Sequence, residues 1–254
     1  MNKKFAFVQT PERSIKPREQ GITSLIDKGI GLNTLQDILT LGADYIDLVK
    51  FAFGTAVVIP SAVLQRKINW LHEHHCHITF GGTLFEIIET QGSFTQFIQV
   101  TKEFDLNYIE VSDGALPIPR ARKIDCIKEA LDHGLTVVSE VGNKQPDIDD
   151  AISIEQRIAM IQEELDAGSW KVIVEARESG TVGLFDTSGQ VEQDEFNTLV
   201  QTIPVQKLIF EAPQKSQQAW FINQLGSDVN LGNIAPHDVI SLESLRQKLR
   251  ADTV

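Results

Sequence analysis

Cysteine is scarce in this chain, which carries Cys76 and Cys126 as its two thiols among 254 residues. So low a count indicates reduced thiols and excludes a disulfide framework. Long apolar runs are missing too, since no stretch approaches the ~20 residues that a membrane span requires. The basic amino terminus lacks the apolar stretch and small-residue cleavage site of a secretory signal. We therefore expect a cytoplasmic protein with no membrane partner.

Positive charge is also in deficit, because 23 lysines and arginines face 35 aspartates and glutamates, for a net charge of -12. Proteins that bind nucleic acid usually carry a basic footprint that displaces phosphate counterions. We therefore expect no nucleic-acid partner. If the ligand is a small anion, a local cluster of basic side chains must attract it.

One pattern recurs eight times: a short apolar run, rich in β-branched residues, ends directly in charged or glycine-rich residues. An unpaired charge in a buried strand costs several kcal/mol. Strands that acquire charges at their carboxyl ends therefore bring them together for one another and for a ligand. The runs occupy residues 25–28, 48–50, 79–82, 109–113, 138–140, 173–177, 209–211 and 229–233.

The segments between these runs carry apolar residues at helical spacing, and Gly134 and Gly168 each precede a fresh strand. Strict alternation of strand and helix indicates parallel strands with right-handed crossovers. A doubly wound open sheet is the competing fold, but it concentrates function at one switch point. Charged or glycine-rich residues at every strand end favour a (β/α)8 TIM barrel. We predict one domain over residues 1–254, with residues 1–22 as an N-terminal arm.

The densest apparent metal motif is the run of residues 72–77, which contains four histidines and Cys76. It lies between the second helix and the third strand, which on a barrel is the amino-terminal face, remote from chemistry. Histidines there can interact with a helix carboxyl terminus. We predict no metal site at this cluster.

Carboxylates follow four successive strands at the opposite face, where hard oxygen ligands could converge on Mg²⁺. The alternative is a network of structural ion pairs with Lys28, Lys50, Lys144 and Arg177. Many buried charges serve stability poorly, which favours a role in binding or catalysis. The predicted metal ligands are Glu110, Glu140, Glu175 and Glu211.

Two further segments suggest an anion site. Gly81 and Gly82 follow the third strand, where bare backbone N–H groups can approach a phosphate. Asn230 opens the run of residues 230–234 at strand eight, where barrels frequently bind a phosphate. These residues are predicted to bind the substrate.

These strand-end residues, in this order, closely resemble the phosphosulfolactate synthase family, whose members add sulfite to phosphoenolpyruvate on a (β/α)8 barrel with magnesium. The chain departs from the family pattern at Ala52, Asn143, Lys248 and Ala251, but none of these removes a charged strand-end residue. The matching stretches are residues 16–18, 27–29, 47–51, 54–55, 81–86, 110–114, 140–144, 175–180, 209–218, 241–246, 249–250 and 252–253.

The resemblance implies a lyase that joins sulfite to C3 of phosphoenolpyruvate and yields 2-phospho-3-sulfolactate, on a route to coenzyme M or to sulfolactate. Lys28, Lys50 and Arg177 would offset the repulsion between the two anionic substrates. Magnesium would stabilise the enolate-like charge, and Lys144 matches the family's proposed acid/base lysine.

Two other hypotheses stay open. One is another enediolate-stabilising lyase or isomerase that acts on a phosphorylated acid on the same barrel. The other is a non-catalytic, stress-related descendant, although the charged set is intact. A homo-oligomer is the default expectation for such a chain.

Overall fold

Strands and helices alternate along the chain in a computed structural model that describes residues 3–177, 179–186 and 188–254. The eight strands are β1 Thr23–Asp27, β2 Leu48–Phe51, β3 His77–Phe80, β4 Tyr108–Val111, β5 Thr136–Val141, β6 Lys171–Val174, β7 Leu208–Glu211 and β8 Leu231–Ile234. The helices are α1 Leu32–Gly42, α2 Thr55–Val58, α3 Ser61–Glu73, α4 Gly82–Thr90, α5 Phe94–Glu103, α6 Arg120–Asp132, α7 Pro146–Asp149, α8 Ile154–Asp166, α9 Gln193–Thr202, α10 Lys215–Leu225 and α11 Val239–Arg246.

The strands form one sheet in the order β3-β2-β1-β8-β7-β6-β5-β4, and every paired neighbour is parallel. Its two outer strands, β3 and β4, approach each other, and the rings of His77 and Tyr108 lie 4.2 Å apart across the seam. The sheet is therefore a nearly closed ring. The predicted (β/α)8 TIM barrel is confirmed, and the open doubly wound sheet is not formed.

Local sequence signals explain where individual helices begin and end. Ser153 and Gln156 form a capping box at the start of α8, each side chain accepting a hydrogen bond from the other residue's backbone N–H. Gly134 and Gly168 follow α6 and α8 with φ values of 81° and 111°. Glycine adopts this left-handed conformation without the steric cost that a β-carbon adds, so both helices end there, as predicted.

The barrel interior is layered, and the two-residue period of the strands sets the layers. Leu48, Val138, Ile173 and Ile209 form a small buried apolar cluster of their own. Charged residues follow two positions later on the same strands, so they point into the same interior, one layer closer to the carboxyl end. Members of this charged layer are Lys50, Glu140, Glu175 and Glu211.

Two larger apolar clusters lie between the barrel and its helices, one built from residues of β1 to β5 and the other largely from β5 to β8. The segment before β1 packs at the amino end of the barrel, where Arg13 forms ion pairs with Asp228 and, at 3.3 Å, with Glu243. Among the described residues, no helix combines the length and the apolar character needed to cross a membrane.

Candidate active site

A cavity opens at the carboxyl ends of the strands, above the apolar interior layer. Because the strands are parallel, their carboxyl ends all meet at this face. All eight strands, or the segments that directly follow them, contribute residues to its lining. Its residues are Ile26, Lys50, Ala52, Phe53, Gly81, Gly82, Thr83, Glu110, Glu140, Lys144, Glu175, Arg177, Glu211 and Asn233.

Lys50 lies at the centre of the charged layer. Its Nζ is 3.2 Å from Oε1 of Glu110, 3.4 Å from Oε2 of Glu140 and 3.3 Å from Oε1 of Glu211. Burial disfavours the charged ammonium, but the three carboxylates outweigh it and raise the pKa of Lys50 above its ordinary value. Lys50 is therefore a fixed cation that neutralises part of the glutamate cluster.

Lys144 is the second ammonium of the site, and it follows β5. Its Nζ is 2.8 Å from Oε1 of Glu140 and 2.9 Å from Oε2 of Glu175. Its side chain keeps 27% of its surface exposed, so it can reach a ligand in the cavity. Burial opposes its charge, but Glu140 and Glu175 dominate and raise the pKa of Lys144. Carboxylates are thus its nearest charged partners.

The glutamates respond unequally to this arrangement. Burial raises the pKa of Glu110 to about 7, even though Lys50 and the N–H of Gly82 stabilise its carboxylate. Burial also raises the pKa of Glu175, with added repulsion from Glu140 and Glu211. Glu140 behaves in the opposite way, because Lys144 and Lys50 outweigh its burial and lower its pKa. Glu140 is thus the carboxylate best held by the two lysines.

Four carboxyl groups share two ammonium groups inside the barrel mouth. Oε2 of Glu110 is buried and has no hydrogen-bond partner in the described part of the chain. A buried oxygen without a partner, and carboxyl groups that outnumber the ammonium groups, are features that a hard divalent cation would relieve. The donor set therefore fits Mg²⁺.

These residues fit a metal site completed by substrate oxygens, and not one built from protein ligands alone. In the described ranges, no three His, Cys, Asp or Glu side chains converge closely enough to hold a metal ion by themselves. Mg²⁺ is commonly bound by one or two carboxylates together with oxygens of a phosphorylated substrate. The predicted ligands Glu110, Glu140, Glu175 and Glu211 do lie together around one cavity.

Three of the six described non-glycine residues with positive φ line the same cavity. Phe53, Arg177 and Asn233 line it and have φ values of 54°, 59° and 55°. Non-glycine residues rarely adopt this region, which costs of order 1–3 kcal/mol each and is found most often at functional sites. Arg177 forms no ion pair with any described residue, and its backbone N–H donates to Glu175 at 2.6 Å. Its guanidinium is therefore available to an anion.

Gly81 and Gly82 line the cavity as predicted, but their N–H groups already have partners. Gly81 donates to the carbonyl of Phe51 at 2.8 Å, and Gly82 donates to Oε1 of Glu110 at 2.7 Å. A β-carbon on Gly82 would lie 2.3 Å from Oγ of Ser112, so side-chain packing across the seam of the barrel requires glycine there. Gly82 thus packs across the seam and orients Glu110, whereas Gly81 packs against the end of β2.

Two residues predicted to bind the substrate lie outside the cavity lining. Lys28 is exposed and is not among the lining residues. Asn230 precedes β8 at the amino end of the barrel, where Nδ2 donates to the carbonyl of Leu208 at 2.8 Å. Strand eight starts later than the sequence pattern indicated, so Asn233 and not Asn230 reaches the cavity. Asn233 is 6% exposed, and its Oδ1 has no partner among the described residues.

Glu86 is a structural support of the site to which the sequence interpretation assigned no role. Its buried carboxylate accepts hydrogen bonds from the N–H groups of Gly114, Ala115 and Leu116 at 3.1, 2.9 and 2.6 Å, and from the Ser112 hydroxyl. These bonds shape the loop after β4, which in turn accepts the Lys144 N–H at Gly114. The sequence signal that could have indicated this role is a carboxylate within the apolar run of residues 84–88.

The histidine-rich run lies where the barrel interpretation predicted. Helix α3 ends at Glu73 and strand β3 begins at His77, so residues 72–77 are at the amino end. No metal-binding cluster is present there among the described residues.

Comparison with known proteins identifies the family. The family model described as (2R)-phospho-3-sulfolactate synthase (ComA) matches residues 11–252. Phosphosulfolactate synthase of Methanocaldococcus jannaschii is 44% identical over 92% of this chain and 94% of its own. Phosphosulfolactate synthase of Bacillus subtilis is 42% identical over 97% of both chains. The barrel also resembles 3-hexulose-6-phosphate synthase of Salmonella typhimurium, with a TM-score of 0.61 at 11% identity, covering 90% of this chain and 100% of that one. The chain belongs to the phosphosulfolactate synthase family.

Proposed function

We propose that this protein adds sulfite to C3 of phosphoenolpyruvate to give 2-phospho-3-sulfolactate, with Mg²⁺ as cofactor. The observation that carries the proposal is the convergence of Lys50, Lys144, Arg177 and four glutamates on one cavity in a chain of this family. The intact charged set disfavours a non-catalytic descendant, because such a protein would have no use for so costly a cluster.

Substrate binding must first overcome the repulsion between two anions. The Arg177 guanidinium is exposed at the cavity and has no competing ion pair among the described residues, so it suits the phosphate or carboxylate of phosphoenolpyruvate. Thr83 lines the cavity in the first turn of α4, where a helix amino terminus favours negative charge. Binding in this geometry would hold C3 within reach of sulfite.

Carbon–sulfur bond formation follows when the sulfur lone pair attacks C3 and the C2–C3 π electrons move toward the carboxylate. The resulting enolate-like species is neutralised when C2 takes a proton, which completes the addition with no other product. Lys144 is the proton donor in this proposal, because it is charged in the ligand-free site and partly exposed to the cavity. Cations that weaken its pairs with Glu140 and Glu175 would lower its pKa and make it a stronger acid.

Magnesium would supply Lewis-acid stabilisation of the charge that develops on the substrate oxygens. Glu110 is the first carboxylate expected to hold the ion, since its Oε2 has no hydrogen-bond partner among the described residues. Glu140, Glu175 and Glu211 surround the same space and would balance the remaining charge. The excess of carboxylates over lysines supports this assignment.

The test is direct incubation of the purified protein with phosphoenolpyruvate, sulfite and Mg²⁺, with detection of the sulfonated product by mass spectrometry. A product whose formation requires all three components is the expected result. A protein that ignores sulfite but converts another phosphorylated acid would instead be the enediolate-stabilising lyase or isomerase. A panel of such acids therefore belongs in the same experiment.

A further inference from the structure

Asp149 is a buried carboxylate outside the cavity that joins two active-site loops. It lies at the end of α7 and is 1% exposed. Its Oδ1 accepts the N–H of Asn143 at 2.7 Å, and its Oδ2 accepts the N–H of Gly183 at 2.8 Å. Asn143 directly precedes Lys144 in the loop after β5, whereas Gly183 belongs to the loop after β6 that also carries Arg177.

Arg157 holds this carboxylate in place from helix α8. Its NH2 group donates to Oδ2 of Asp149 at 3.0 Å, and its side chain is also 1% exposed. A buried ion pair of this kind contributes little net stability, because desolvation offsets much of its Coulomb energy. Its effect is to fix geometry, since a charged acceptor forms the stronger hydrogen bonds to backbone N–H groups.

Glycines let the two loops approach each other directly behind the lysine–glutamate cluster. A β-carbon on Gly142 would lie 2.6 Å from Cβ of Glu175 and 3.1 Å from NH1 of Arg157. A β-carbon on Gly183 would lie 1.9 Å from the carbonyl oxygen of Glu175. Asp149 thus ties together the two segments whose separation sets the 2.9 Å contact between Lys144 and Glu175.

We propose that Asp149 is a positioning residue that holds the loop of Lys144 against the segment of Glu175 and Arg177, so that the ammonium stands at C2 of the bound substrate. This inference rests on the proposed function. Misplacement of a catalytic group by about 1 Å can cost 10²-fold in rate. Loss of the Asp149 carboxylate would therefore slow the chemical step more than it weakens substrate binding.

Asp149→Asn tests the proposal, because it keeps the shape of the side chain and removes one acceptor oxygen. We expect kcat to fall about tenfold or more while KM changes less than about threefold. Asp47→Asn is the matched control, since Asp47 is a buried carboxylate at the amino end that accepts the Thr23 N–H at 2.8 Å and pairs with Arg18 at 3.0 Å. The control variant should keep kcat.

A double-mutant cycle separates positioning from general damage. If Asp149 acts through Lys144, then Asp149→Asn should lower the residual rate of a Lys144→Ala protein by less than about twofold. If the rate losses of the two single variants multiply in the double variant, the proposal is overturned. A kcat for Asp149→Asn equal to that of the parent would also overturn it. Should Asp149→Asn fail to fold, Asp149→Glu is judged by the same outcomes, because it keeps the charge but moves the oxygens by one methylene.

Amide hydrogen exchange distinguishes failure of this inference from failure of the proposed function, because it needs no substrate. Asp149→Asn should accelerate exchange at both Asn143 and Gly183 relative to the parent and to Asp47→Asn. If the parent forms no sulfonated product yet both amides exchange faster, the function is wrong and the link between the loops stands. Unchanged exchange at either amide would remove Asp149 as the link.

Discussion

The two ends of the barrel both bury charged side chains, but they treat them differently. At the amino end Asp47 and Arg246 are held by different partners. Asp47 pairs with Arg18 at 3.0 Å, and Arg246 donates to the carbonyls of Ser227 and Val229 at 2.6 and 2.7 Å. At the carboxyl end four glutamates share Lys50 and Lys144. The amino end distributes its buried charges over separate partners, whereas the carboxyl end gathers them around one cavity, where a ligand can relieve them.

Among the changes that test this contrast, removal of a divalent cation should have the largest effect on turnover. A chelator should lower turnover by about 10³-fold or more, because a metal ion supplies several kcal/mol of stabilisation to developing charge. Mg²⁺ added in excess of the chelator should restore the rate. Full activity in excess chelator would leave Glu110, Glu140, Glu175 and Glu211 as ion-pair partners only.

Lys144→Ala should lower turnover by about 10²-fold or more, which is the usual scale for loss of a general acid. The fold should persist, because Glu175 already has a raised pKa and can take up a proton where the ammonium was. Lys128→Ala, which removes an exposed lysine of α6, is the control and should keep the parental rate. A Lys144→Ala protein within a few-fold of the parent would remove this residue from the mechanism.

Glu110→Gln sharpens the comparison because it should lower activity without lowering stability at neutral pH. Turnover should fall about tenfold or more, since a carboxylate of the cluster is lost. Folding raises the pKa of Glu110 from 4.5 to about 7, so the folded chain binds this proton more tightly and stability falls as pH rises through that window. In metal-free buffer, the unfolding midpoint of the parent should fall relative to that of the variant as pH rises through this range. A variant that is less stable than the parent at pH 7 would show that Glu110 is a structural partner.

Joint replacement of His74 and His75 by alanine should have the smallest effect. Both residues lie at the amino end, between α3 and β3, away from the cavity. Activity within about twofold of the parent is expected, together with a small loss of stability because His75 has a φ of 56° that alanine tolerates poorly. A joint loss of metal content and turnover would contradict the assignment of the two ends.

Sequence periodicity predicted the barrel because few other folds are compatible with strands that alternate with helices and end in charged residues. It also placed Glu110, Glu140, Glu175 and Lys144 at one face, since each follows or ends its own strand. It misplaced Asn230, because the start of β8 depends on contacts with Ile22 and Leu208 that lie far away in the chain.

The simultaneous contact of Lys50 with three carboxylates could not be predicted either, because it depends on side-chain distances across the barrel. The same holds for the roles of Glu86 and Asp149, whose partners belong to other loops. The oligomeric state, the cellular location and the boundary of the N-terminal arm stay predictions.

The most direct test of the difference between the two ends is one matched pair, Arg177→Leu and Arg18→Leu, with the unfolding midpoint and KM for phosphoenolpyruvate measured on both. Arg177→Leu should raise KM about tenfold or more and leave the midpoint of the ligand-free protein unchanged, because a charge-assisted hydrogen bond to the substrate is lost. Arg18→Leu should keep KM and cost about 3–5 kcal/mol, since it strands the buried carboxylate of Asp47. A midpoint that falls as far in Arg177→Leu as in Arg18→Leu, with KM unchanged, would contradict the account.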